Sequence, residues 1–260
     1  MFVLRLFNRR WVFLTVLVIV AALVMARLGI WQLDRLAQRR AFNAQVLSQI
    51  TQPPLPLTPA ELNQDLNTLV FRTVILRGEL DNAHTMVIGN QVYENQMGVN
   101  LLTPFKIEGS AAVILVNRGW IAFEDWQRGD LSAYAVEGTV EVTAMLRATQ
   151  TAAGLRECLD PLEGGSVVFP FQVWCVAVEG IAERLPYTLL PVYALQLPPE
   201  GTAQNAPPYA VRPQIEISEG NHLSYAVQWF SFATILLFGY PFFVRREERA
   251  KAQASERMNE

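Results

Sequence analysis

Histidine is nearly absent from this chain, with only His84 and His222 in 260 residues, and a multi-histidine metal centre is thereby excluded. Cysteine is equally scarce. Cys158 and Cys175 come without a CxxC spacing or a histidine cluster, which argues against zinc. A disulfide between them is permitted if that section lies outside the cytoplasm, and the spacing leaves pairing open. No GxSxG, HExxH or P-loop occurs, so none of the usual motif-borne catalytic groupings is present. Basic charge is missing from the middle of the chain. The first 33 residues carry +4 and the last 16 carry +1, so of a total of −3 the section 34–222 holds −8. An acidic section of that size excludes nucleic acid as a partner, because nucleic-acid binding needs a basic footprint. No internal repeat is visible.

What the chain does have is apolar length. Hydrophobic residues make up 51% and the mean hydropathy is +0.19, which fits a membrane protein with a sizeable water-exposed part. Residues 223–244 contain no formal charge, enough helix to cross a hydrocarbon core of about 30 Å. Arg245, Arg246, Arg249 and Lys251 follow at once, whereas the nearest base before this span is Arg212. By the positive-inside rule that asymmetry puts the C-terminus in the cytoplasm. Ser224, Gln228 and Ser231 form a polar stripe along the span, and polar groups at such depth usually face a partner.

Near the N-terminus, Arg5, Arg9 and Arg10 precede an apolar run from Trp11 to Ala26. A cleaved signal peptide is one reading, with Val24-Met25-Ala26 as the cleavage site. The favoured one is a retained anchor continuing past Arg27 to Leu33, with Arg27 snorkelling and Trp31 at the interface. Ala22, Ala26 and Gly29 make a small-residue ridge suited to close approach of another helix. Two spans place both termini in the cytoplasm, and the organisation expected is 1–10 cytoplasmic, 11–33 and 223–244 in the lipid bilayer, 34–222 outside, and 245–260 a cytoplasmic tail. A bacterial plasma membrane is preferred, since only about ten residues precede the first span and no organellar presequence is evident.

The first helix is expected to continue beyond the membrane, because Gln32–Ile50 lacks Gly and Pro, and to end at Pro53, Pro54 and Pro56. Thr58-Pro59-Ala60-Glu61 has capping-box spacing and predicts a short helix to about Asn67. From Val70 the texture becomes β-rich. Strands are predicted near 70–80, 84–91, 99–107, 112–122, 139–147, 167–178 and 189–197, with turns at Glu94–Gly98 and Glu108–Ser110. Pro198–Pro213 reads as a tether. The fold class expected is a membrane protein in which two transmembrane α-helices flank a mainly antiparallel β barrel- or sandwich-like extracytoplasmic domain with a short helix.

Four segments carry a resemblance. Gly29-Ile30-Trp31-Gln32-Leu33-Asp34-Arg35 is similar to a G-x-W-Q-L-x-R signature, Leu102-Thr103-Pro104 to L-T-P, and Val116-Asn117-Arg118-Gly119-Trp120 to V-N-R-G-W. Residues 221–230, Asn-His-Leu-Ser-Tyr-Ala-Val-Gln-Trp-Phe, resemble N-H-L-x-Y-A-x-x-W-F. In this order, framed by two spans, they resemble the Surfeit-locus family of cytochrome c oxidase assembly factors. The stretch Thr149–Pro198 departs from the family pattern, and Gln228 stands where relatives often carry Thr. The resemblance implies a non-enzymatic assembly factor whose partner is the haem–copper oxidase catalytic subunit, with the haem a synthesis machinery as a possible second partner. It also implies transient binding of haem a through His222.

Each candidate residue has two readings. A neutral imidazole at His222 suits haem iron, or it is an interfacial histidine at a helix start capped by Asn221 or Ser218. Tyr225 and Trp229, one and two turns on, pack against a porphyrin or are ordinary interfacial aromatics. Arg118 pairs with a haem propionate or an acidic partner surface, or is a structural arginine beside Trp120. Trp31, Gln32 and Arg35 form a contact with another membrane subunit, or Trp31 belongs to an interfacial belt. His84 reads as a strand surface residue. Two other functions stand beside haem a delivery. One is a structural chaperone clamping the nascent oxidase subunit through the Ala22 ridge and the Ser224 stripe. The other is a membrane-anchored hydrolase.

Overall fold

The computed structural model describes residues 8–151, 157–159, 167–201 and 203–258; Arg5 of the N-terminal basic cluster lies outside them. The chain divides into two compact units, Met1–Gln45 with Glu216–Glu260, and Val46–Ile215.

The first unit is a pair of long helices, α1 (Val12–Ile50) and α4 (His222–Met258). Both are long and apolar enough to cross a membrane. At 1.5 Å per residue, α1 spans about 58 Å and outruns the hydrocarbon core, as the absence of Gly and Pro after Gln32 predicts. Trp11, just before α1, and Thr15, Val18, Ala22, Gly29, Leu36 and Asn43 of α1 are buried at spacings of three, four or seven residues, which keep one stripe against a neighbour. On α4 they are Ala226, Ala233, Tyr240 and Val244. The helices run antiparallel. Trp11 donates its ring N–H to Glu248 (3.0 Å), the hydroxyls of Thr15 and Tyr240 meet at 2.7 Å, and Gly29 lies against the ring of Phe230. Beyond Leu36, Arg40 grips Glu219 through two 2.9 Å bonds.

Large side chains point the other way. Phe13 (78% exposed), Leu23, Ile235, Phe238 (77%) and Phe242 are turned outward, while Ala22, Gly29, Ala226, Ala233 and the Thr15–Tyr240 hydroxyls occupy much of the seam, with Trp11, Val18 and Val244 closing one end. An aqueous helix pair would bury the large residues; small residues inside and large ones outside is the arrangement lipid favours. The ridge of Ala22 and Gly29 is therefore occupied by the chain's own second helix. It is not free to clamp another subunit.

The second unit is a barrel-like sheet. Its strands are β1 (Leu55–Pro56), β2 (Thr73–Leu80), β3 (Met86–Tyr93), β4 (Gln96–Ile107), β5 (Val113–Ala122), β6 (Thr139–Ala148), β7 (Gln172–Val173) and β8 (Leu189–Gln196). The order is β1-β2-β6-β8-β5-β4-β3-β7, and an additional β2–β4 pairing closes β2, β6, β8, β5 and β4 into a ring. Pairing is antiparallel except at β1–β2, β3–β7 and β5–β8. Closure is possible because β4 is long enough to change partners. Gln96–Leu102 pairs with β3 and Phe105–Ile107 with β2, with Thr103 and Pro104 between. The β3–β4 turn is Glu94–Asn95, both at positive φ (47° and 63°), as a two-residue hairpin turn demands. The main core is mostly aliphatic around one phenylalanine, with Leu76, Phe105, Ile114 and Leu146 fully buried.

Three expectations fail locally. The predicted helix after Thr58 is instead two 3-10 turns, Glu61–Asn63 and Leu66–Leu69. Glu61 does return to the backbone N–H of Thr58 (3.1 Å), but the Thr58 hydroxyl bonds the Glu61 carboxylate rather than a backbone donor. The predicted strand over 167–178 shrinks to Gln172–Val173, followed by the short helix α3 (Val178–Ala182); another short helix, α2, is Phe123–Gln127. Val173 pairs with Ile88, whereas Val176, Val178 and Ile181 are buried as core filling without a ladder, and a disulfide joins Cys175 to Cys158. Finally, Pro198–Pro213 is more than a tether. Tyr209 exchanges two backbone bonds with Trp120 (2.8 and 2.9 Å) and stacks on Tyr93 with ring centroids 5.2 Å apart.

Candidate functional site

The residues singled out from the sequence fall into the two units. His222, Tyr225, Trp229, Trp31, Gln32 and Arg35 lie in the helical unit, and Arg118 lies in the β unit.

His222 is the first residue of α4, where Asn221 supplies the carbonyl that accepts the N–H of Tyr225 (3.1 Å). The approach to it is pinned. Arg39 donates to the carbonyls of Ser218 and Glu216, Arg40 holds Glu219, and Gly220 turns at φ +65°. The imidazole is half-buried, and its Nδ1 lies 2.8 Å from Oε1 of Gln32. With the Gln32 oxygen as acceptor, the bond selects, among the neutral tautomers, the one protonated on Nδ1, in which Nε2 carries the lone pair. A Cβ on Gly220 would meet the His222 ring at 3.5–3.6 Å, an ordinary contact, so glycine is needed there for its φ of +65° rather than for space. Two signature segments thus meet in one bond, and two residues assigned separate roles, Gln32 and His222, form a unit.

Around them, Tyr225 is 49% exposed, and Trp229 is half-buried, edge-on to Phe232. Trp31 is exposed with the Arg35 guanidinium 5.7 Å from its ring centre, and Arg35 also bonds Gln38. Ser224, Gln228 and Ser231 are exposed along α4. The sequence reading passed over Arg39, Arg40 and Gly220. Opposite charge on Arg39-Arg40 and on Glu216 and Glu219 is the one signal that could have found the clamp.

In the β unit, the V-N-R-G-W segment is β5 at a bulge. Asn117 pairs with Leu102 and Gly119 with Leu101, so Arg118 is the extra residue and its side chain is re-aimed. Gly119, at φ +121°, accepts the backbone of Tyr209 and Ala210 against it, and any Cβ would collide there. Arg118 is 5% exposed and donates from Nη2 to the Tyr134 carbonyl (2.6 Å). Burial lowers its pKa. Tyr134 in turn bonds Asp125 (2.8 Å); burial, and then that carboxylate, push its phenol up to about 12.

His84 is not on a strand. It closes a 3-10 turn, Asn82–His84, with Nδ1 3.1 Å from Asp81 and its ring edge-on to Phe169. Among the described residues no group of three His, Cys, Asp or Glu is placed to hold a metal ion.

A profile described as the SURF1 family matches residues 19–234, most of the chain and all four signature segments. The chain belongs to the SURF1 family. It is 26% identical over 234 residues to a SURF1-like protein of Monosiga brevicollis, covering 84% of this chain and 83% of the relative. A SURF1-like protein of Mycobacterium bovis is 25% identical over 226 residues, covering 85% and 78%. The cytochrome oxidase assembly protein SHY1 of Saccharomyces cerevisiae is 32% identical over 98 residues, 37% of this chain and 25% of that protein. The matched residues run from within α1, through the β unit, into the first part of α4.

Proposed function

We propose that this SURF1 chain is a non-enzymatic membrane assembly factor for a haem–copper oxidase, holding haem a transiently at His222 for delivery to the catalytic subunit. The His222–Gln32 bond (2.8 Å) supports this most. An axial iron ligand must offer an unprotonated ring nitrogen, and an oriented hydrogen bond on the other nitrogen fixes that tautomer. Haem a, when bound, would supply an iron that takes an imidazole nitrogen and a hydrophobic macrocycle. Gln32 sets the ring's tautomer and direction. Tyr225 and Trp229, on the same side of α4, offer flat apolar surface. A single histidine fits capture that must later be reversed. Oxidase assembly is supported by the name of the yeast relative, and the catalytic subunit and haem a synthesis machinery are the partners in this reading. The base cluster after Val244 supports cytoplasmic termini and an external β domain in a bacterial plasma membrane.

A second reading, a structural chaperone that never holds haem, is favoured by the exposed Ser224, Gln228 and Ser231, which suit hydrogen bonds to a partner helix. The absorption spectrum of detergent-purified protein, co-expressed with haem a synthesis, separates the two. Wild type should carry haem a and His222→Ala should lose it. Gln32→Leu should retain it about 10–100-fold more weakly at equal protein level. Absence of the pigment from wild-type protein, although the membranes contain it, would favour the chaperone.

A further inference from the structure

Arg118 presents a problem of charge. A guanidinium has five N–H donors, and its one described acceptor is the Tyr134 carbonyl. Among the described residues no carboxylate lies within ion-pair distance of it. The nearby acids are engaged elsewhere: Asp125 with Tyr134 and Arg128, Asp81 with Lys106, His84 and Tyr187. Burying a cation without a counter-charge costs several kcal/mol, in a section of chain with an excess of acid.

The guanidinium borders a cavity of about 350 Å³. Thr85 and Ser132 give it hydroxyls, and Leu101, Phe169 and Pro170 give it apolar walls, with no acidic residue among its lining. The walls are held in place. Asn82 brackets Val136 with two bonds (3.0 and 3.2 Å), and the Thr85 hydroxyl meets Thr103 at 3.1 Å. The volume lies at the small end of ligand pockets, too little to enclose a porphyrin ring.

We propose that this cavity is a carboxylate-binding site, in which Arg118 pairs with a carboxylate carried on a short apolar stem. The stem occupies the space between Leu101, Phe169 and Pro170, and the carboxylate supplies the counter-charge that the described residues do not. A free small carboxylic acid and the propionate arm of a porphyrin share this chemistry. The site does not depend on iron ligation by His222, since its recognition element is the carboxylate alone.

The test uses the full chain in detergent and 5,5,5-trifluoropentanoate followed by fluorine NMR at constant ionic strength. The expected result is saturable broadening, competed by pentanoate and not by pentanamide. Arg118→Gln should weaken binding at least about tenfold. Ala135→Trp, at an exposed lining position of the cavity, should block it with Arg118 in place. No saturation in the wild type, or equal binding in wild type and Ala135→Trp, overturns the proposal even if the Gln variant fails to fold. Competition by mesoporphyrin but not its dimethyl ester would identify a propionate arm; no competition by either would identify a free acid.

Discussion

The helical pair and the β unit solve packing in opposite ways. In the helices the seam holds Gly29, Ala22, Ala226, Ala233 and a Thr15–Tyr240 hydroxyl pair, and Phe13, Phe238 and Phe242 stand outside. In the barrel the inside is Phe105, Leu76, Ile114 and Leu146, and charge stands outside. The difference reflects the solvent. Lipid offers no gain for hiding a large apolar side chain, so close backbone approach and hydrogen bonds hold the helices; water drives the second arrangement. Each unit also keeps one polar group poised beside open space. At His222 a nitrogen is freed by its partner Gln32, and at Arg118 a cation is left without its counter-ion.

The sharpest way to break this comparison is at the glycines. Gly119 combines φ +121° with backbone of Tyr209 and Ala210 where a Cβ would stand. Gly119→Val should destabilise the β unit by about 3 kcal/mol or more, seen as lost protease resistance of that unit while the protein still inserts in membranes. Gly29 is also crowded, but by the ring of Phe230, whose atoms lie 2.8 Å from a built Cβ. A ring can swing where a strand cannot. Gly29→Leu should cost about 1–3 kcal/mol, measured as earlier thermal loss of helical signal, and Gly29→Ala should cost less.

The smallest effect concerns charge in the β unit. Burial alone would raise the pKa of Asp81, but Lys106 (3.0 Å) and His84 outweigh it and hold the carboxyl below its ordinary value. A depressed folded-state pKa stabilises above the unfolded value and is lost as pH falls through the folded one. The melting-temperature gap between wild type and Asp81→Asn should therefore be present at pH 7 and close as pH drops below about 4. A constant gap down to pH 2 would show that Asp81 acts through packing.

Much of this architecture was legible in residue order. The 22 uncharged residues after His222, the Gly- and Pro-free run to Ile50 and the β-rich texture from Val70 that becomes β2, β4, β5 and β6 are each local features of composition. Legibility stopped where burial is shared by distant segments. The apolar stretch 167–178 looks like a strand because hydrophobic runs do. Much of its backbone nevertheless lies outside the ladders, because the barrel was already closed by the β2–β4 pairing. Pro198–Pro213 reads as a spacer because nothing in its composition announces that Tyr209 will stack on Tyr93.

The same division runs through the candidate sites. Sequence alone determined that His222 opens the second long helix, that Gln32 belongs to the first signature, and that a small-residue ridge invites a neighbour. Only the tertiary structure decided that the neighbour is the chain's own α4, that Gln32 carries the Nδ1 bond of His222, and that a bulge turns Arg118 into a cavity. Periodicity fixes which face a side chain takes along its own helix or strand. Which segment meets that face depends on long-range closure, and no local pattern encodes the partner.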